Sequence, residues 1–304
     1  MTVPTPVIIS STERILGRRK RTENGMNSST EELQSKDETS TIMTRSTGES
    51  SSKTDPSTSP LPSPFDNPLP NAFKVPSSDD SCPNFMNELL SDPAFQSCRP
   101  ISMLIRSSTS FFEAQKELVS LVKVLDAACG AEVTRCTSYM RKAAQRLTTD
   151  GNCKLEFENN QTQVVEAWQG LRTYNILYSA TCLQNPSSNS YCFANAFTNL
   201  TSPSDAYLYF LPYGSPLPSA STSSCGWCVQ NTMSLYHSAS ANRGQLIASI
   251  YEDAANQINS LCGPDFANST LPAAENGAVT VVVPSFSGVA ASTLFVLFLY
   301  AWVS

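Results

Sequence analysis

Cys225-Gly226-Trp227-Cys228 is the one C-x-x-C in the chain and the sharpest candidate for chemistry. At a helix N-terminus such a pair can have a lowered thiol pKa and exchange disulfides. Thioredoxin-type use needs a strand before the motif and a βαβ context. What precedes it is Leu217-Pro218-Ser219-Ala220-Ser221-Thr222-Ser223-Ser224, which is not a strand. Structural bridging is therefore the expectation, with a thiol–disulfide redox protein using Cys225/Cys228 as the rival. The two cysteines bond either each other or two different partners, and spacing leaves both open.

The other candidates are weaker. His237 is the single histidine of the chain. It follows the motif on an expected helix, and no G-x-S-x-G accompanies it, so a partly exposed, non-catalytic role is expected. Glu156/Glu158 and Glu252/Asp253 could imitate a glycosidase pair. They are read as solvated charge, because i,i+1 and i,i+2 neighbours on a helix do not face each other. Tyr207-Leu208-Tyr209-Phe210-Leu211-Pro212-Tyr213 is the densest aromatic run; it could stack on wall sugars or hold an apolar ligand, or pack back onto the helices. Arg18-Arg19-Lys20-Arg21 fits a localisation patch, a dibasic processing site or a chance cluster.

The chain of 304 residues carries a net charge of -6, which argues against a nucleic-acid partner. One histidine and a single C-x-x-C do not build a zinc site, which needs two short-spaced ligand pairs. No catalytic, cofactor or metal residue is assigned. The ten cysteines, Cys82, Cys98, Cys129, Cys136, Cys153, Cys182, Cys192, Cys225, Cys228 and Cys262, read as five disulfides made in an oxidising compartment. Spacing does not give the pairing. The sequons at Asn27, Asn160, Asn199 and Asn268 suit the same compartment; Asn160, Asn199 and Asn268, inside the cysteine-rich region, are the expected glycosylation sites.

Three segments follow. Residues 1–80 are Ser/Thr/Pro-rich without sustained apolar periodicity and are expected to be a disordered leader or stalk. Residues 81–270 form the folded domain. Residues 271–304 carry the small triplet Asn276-Gly277-Ala278, a spacer and the apolar run Val289 to Val303. That order is the pattern of a GPI-attachment signal, with Asn276 as the attachment residue. A tail-anchored helix is the rival. The first thirty residues contain no signal peptide, since Val7-Ile8-Ile9 is too short an apolar run and the basic residues follow it. An anchored chain needs one, so an upstream leader is expected.

Periodicity gives helices over Pro100–Ala128, Ala131–Leu147, Gln161–Thr181 and Arg243–Leu261, with 201–224 as a long surface loop. No alternating strand series occurs. The fold class expected is all-α, a disulfide-rich helical domain after a disordered segment.

Several blocks then form a recognisable series. They are Ser81-Cys82-Pro83-Asn84-Phe85, Phe95-Gln96-Ser97-Cys98-Arg99-Pro100, Ser110-Phe111-Phe112, Leu125 to Cys129, Ser190 to Ala196, Tyr209 to Gly214 and Cys225 to Met233. Over 81–270 the chain resembles a fungal family of GPI-anchored, cysteine-rich cell-surface proteins with a domain of unknown function. The resemblance implies a location and an anchor, and no activity. The expected function is a non-catalytic structural or interaction role at the outer face of the plasma membrane or in the wall. The partners would be the membrane through a lipid anchor, and a cell-wall glycan or an apolar small ligand. A lipid- or small-ligand-binding helical module is the alternative.

Overall fold

The computed structural model describes residues 60–68, 71–76 and 78–275. Arg18–Arg21, Asn27, Asn276 and the apolar tail lie outside them. Among the described residues the regular structure is helical throughout, with five disulfides and no strand beyond the isolated bridge Gln184–Tyr191. The helices are α1 (Ser81–Ser91), α2 (Pro93–Cys98), α3 (Ile101–Ser107), α4 (Thr109–Ala114), α5 (Leu118–Cys129), α6 (Val133–Leu147), α7 (Lys154–Glu158), α8 (Thr162–Thr181), α9 (Cys192–Thr198), α10 (Trp227–Ala239) and α11 (Tyr251–Cys262).

Helix α8 is the spine. Its sequence carries apolar or small residues on every face, so no single stripe is left for solvent. Val164, Ala167, Leu171 and Tyr174 enter one apolar cluster with Phe85, Met86, Phe95, Met140 and Leu147. Ile176, Leu177 and Ala180 enter a second with Leu121, Leu125, Phe193, Tyr209, Tyr236, Tyr251 and Ile258. Each of these large side chains contributes about 1.5–3 kcal/mol on burial. Helix α3 crosses α8 at Gly170, where an added Cβ would lie 2.6 Å from Met103 Sδ and 2.7 Å from the Ser102 carbonyl oxygen. Only glycine admits that approach.

Local capping sets the helix starts. Asp92 accepts the Ala94 N–H at 2.8 Å ahead of Pro93, and Glu132 accepts the Arg135 N–H at 2.8 Å to open α6. Gln161 accepts the Val164 N–H at 2.8 Å to open α8.

Three of the expected elements differ in the structure. The helix expected over Pro100–Ala128 is three helices, because Ser108 and Glu117 adopt extended backbone (φ -116° and -128°). The break rotates the apolar stripe, so Leu118 is 52% exposed while Leu121 and Leu125 are buried. The helix expected over Arg243–Leu261 is likewise divided at Ile250 into a 3-10 turn, Leu246–Ser249, and α11. The surface loop expected over 201–224 contains the 3-10 helix Pro203–Tyr213, with Leu208, Tyr209, Leu211 and Tyr213 buried.

The packed chain also begins before residue 81. Phe65 and Phe73 are buried edge-to-face, 5.0 Å between ring centroids, and both belong to the cluster beneath α8. The Phe65 N–H donates to the Ser107 carbonyl at 2.9 Å. Two aromatics in a polar tract supply enough apolar area to order a segment that composition alone assigns to a stalk.

Candidate functional site

The C-x-x-C opens α10, with Gly226 as its N-cap and Trp227 as its first residue. Asp205, 8% exposed, holds the approach: Oδ1 accepts the Ser224 N–H at 2.7 Å and Oδ2 accepts its hydroxyl at 2.6 Å. Cys225 is bridged to Cys262 and Cys228 to Cys192. The motif therefore holds no internal disulfide; it ties α10 to α9 on one side and to the end of α11 on the other. The remaining bridges are Cys82–Cys153, Cys98–Cys136 and Cys129–Cys182, and no free cysteine is found among the described residues. Beside the motif lies a cavity of about 180 Å³, lined by Asn195, Asn199, Tyr209, Trp227 and Thr232.

His237 is half-buried on α10. Its Nε2 lies 2.8 Å from the Thr270 carbonyl, and its ring is 5.6 Å from that of Tyr251. Among the described residues no carboxylate hydrogen-bonds it. Tyr251 in turn donates to the Asn268 carbonyl at 2.8 Å. Together they pin the sequon segment 268–270 against α10 and α11. Arg243 donates to the Pro272 carbonyl at 2.6 Å, and the Glu275 N–H donates to the Ala241 carbonyl at 2.9 Å. The chain is thus docked on the domain as far as residue 275.

The three sequon asparagines are exposed. Asn199 Oδ1 accepts the Thr201 N–H at 3.0 Å and its hydroxyl at 2.7 Å. Asn268 Oδ1 accepts the Thr270 N–H at 3.1 Å and its hydroxyl at 2.6 Å. Asn160 has left-handed backbone (φ 54°) just before α8, which Thr162 opens.

The carboxylate reading is corrected at Glu156, which is 1% exposed in the middle of the short α7 rather than solvated; Glu158, Glu252 and Asp253 are exposed. Burial follows from the short helix lying against α8. The aromatic run packs inward. Tyr209 stands edge-to-face on Phe193 at 4.7 Å, and Tyr213 donates to the Ser102 carbonyl at 2.7 Å. Burial pushes both phenols above their ordinary pKa. Tyr207 is the member left outside, at 45% exposure. The run lines no large apolar cavity among the described residues.

Sequence reasoning missed Asp66 and Asp205. Each is a lone acid in a Ser/Pro-rich tract, and the only signal was a Ser or Thr partner that is distant in the chain. Among the described residues no cluster of His, Cys, Asp and Glu could hold a metal ion, and no helix is long and apolar enough to cross a membrane.

A family model described as a domain of unknown function, DUF7729, matches residues 60–271. The chain belongs to the DUF7729 family. The start of the match at 60 coincides with the segment that carries Phe65 and Phe73, so the DUF7729 domain includes residues upstream of its first cysteine. No curated protein and no solved structure matches the chain.

Proposed function

We propose that this DUF7729 chain is a GPI-anchored, N-glycosylated protein of the outer membrane face or wall, acting by interaction rather than catalysis. The observation that carries the reading is that all ten cysteines pair into five bridges with no thiol left over. Such complete pairing suits an oxidising compartment, where bridges persist. Exposed asparagines at 160, 199 and 268 suit glycan attachment in that compartment.

The docked stretch 263–275 leads directly to the small triplet at Asn276, so an anchor there would hold the domain close to the bilayer. The test is fractionation of the natively expressed protein with and without phosphatidylinositol-specific phospholipase C, joined to mass spectrometry of the C-terminal peptide. Release into the aqueous phase with a chain ending at or near Asn276 supports the anchor. An unreleased chain ending at Ser304 and facing the cytosol overturns it in favour of a tail-anchored helix.

A further inference from the structure

A second cleft, of about 610 Å³, lies between α6, α8 and the turn at Asn242–Gln245. Its volume falls within the range of small-molecule sites. Its lining is polar and carries two arginines, Arg141 and Arg172, without one carboxylate. That is unexpected on a chain of net charge -6.

Arg172 is half-buried, its guanidinium 4.7 Å from the centre of the Trp168 ring, with one Nη donating to the Gly244 carbonyl at 2.5 Å. Burial alone pushes its pKa down, and no acid offsets the cost. Arg141 is exposed and makes no ion pair among the described residues. A partly desolvated guanidinium without a counter-charge is costly unless a ligand supplies one.

The remaining groups set the rest of the ligand. Gln245 lines the cleft, and its Oε1 is buried without a donor. Asn175 and Thr137 face each other there at 3.3 Å. An unmet acceptor asks for a hydroxyl, and the arginine forks suit a carboxylate or phosphate.

We propose that this cleft binds an anionic saccharide, with Arg141 and Arg172 taking the acidic group and Gln245 and Asn175 taking ring hydroxyls. The inference does not rest on the anchor or on N-glycosylation; a chain lacking both would still bind.

The test is titration calorimetry of the purified full chain, bridges intact, at low salt. The probes are glucuronic acid, mannose 6-phosphate, neutral mannose and inorganic phosphate. Saturable binding of either acidic sugar, tighter than that of mannose and of inorganic phosphate, supports the site, and the one that binds tells carboxylate from phosphate. Arg141→Ala, an exposed change that leaves the core intact, is expected to weaken it about tenfold or more, given the strength of charge-assisted hydrogen bonds. Arg172→Gln should act in the same direction, with circular dichroism to establish that it folds. Failure of both acidic sugars to bind, equal binding of mannose, inorganic phosphate matching mannose 6-phosphate, or an unchanged Arg141→Ala each overturns the proposal.

Discussion

Asp66 Oδ2 accepts the Ser108 hydroxyl at 2.8 Å across a sequence separation of 42. The same carboxylate takes the N–H groups of Thr109 at 2.8 Å and Ser110 at 3.0 Å, and the Ser110 hydroxyl. It therefore caps α4 from outside the cysteine framework, in the place where the expected long helix breaks. Ser108 also takes the Phe111 N–H at 3.1 Å, so two side chains share one helix start.

Replacing Asp66 should accordingly weaken the domain. Asp66→Ala is expected to cost about 1 kcal/mol, the usual worth of an N-cap. Burial alone would raise the Asp66 carboxyl, but the hydrogen bonds from Ser110, Ser108 and Thr109 outweigh it and hold the group below 3.8. The contribution is thus present above 3.8 and lost as pH falls through the depressed folded value. Urea denaturation of the parent and Asp66→Asn should show a gap at neutral pH that closes in acid. A gap that widens on acidification would contradict the cap.

The disulfide pairing can be read chemically. Peptide mapping under non-reducing conditions should join Cys192 to Cys228 and Cys225 to Cys262. Cys225→Ser should then expose Cys262, not Cys228, to alkylation. Loss of the bridge should cost about 2–5 kcal/mol. Labelling of Cys228 instead would mean that the motif closes on itself.

Gly170→Ala tests the α3–α8 crossing. Alanine is favoured over glycine in an exposed helix by about 1 kcal/mol. Here its methyl would meet backbone at 2.7 Å. Overpacking of this kind costs about 1–3 kcal/mol, so a lower Tm is expected. A raised Tm would show that α3 can move away freely.

Glycan occupancy follows from the proposed compartment. Thr162→Ala, Thr201→Ala and Thr270→Ala should each remove one glycosidase-sensitive step in gel mobility from the natively expressed protein. Thr201→Ala and Thr270→Ala call for separate stability data, because they also delete the hydroxyl bonds at 2.7 Å and 2.6 Å. Mobility unchanged in all three would remove N-glycosylation from the reading.

Several features were legible from local pattern. Helix α6 runs Val133–Leu147 inside the expected 131–147, and α8 runs Thr162–Thr181 inside 161–181. Their apolar positions recur at helical spacing and their caps lie next in sequence, so short-range forces suffice. The all-α class follows from the same patterns, and the bridging of the cysteines from their even number and the lack of paired metal-ligand spacing. The seven-residue α9 carries too few turns for a period to show, whereas α1 does place Cys82, Phe85, Met86 and Leu89 at i, i+3, i+4 and i+7, a period the sequence reading passed over.

What the tertiary structure decided was everything set by distant partners. Which cysteine meets which depends on how the helices cross, and spacing is silent about crossing. Asp66, Phe65 and Phe73 sit in a polar tract whose own apolar content is too low to fold, and helices distant in the chain give them a surface to join. Whether Tyr209 and Tyr213 faced a ligand or packed back onto the helices was open in the sequence, and Phe193 and the Ser102 carbonyl lying against them decide for packing. Arg141 and Arg172, thirty-one positions apart in an acidic chain, converge because α6 packs along α8. Sequence encodes local propensity directly; it encodes convergence only through the packing of the whole domain.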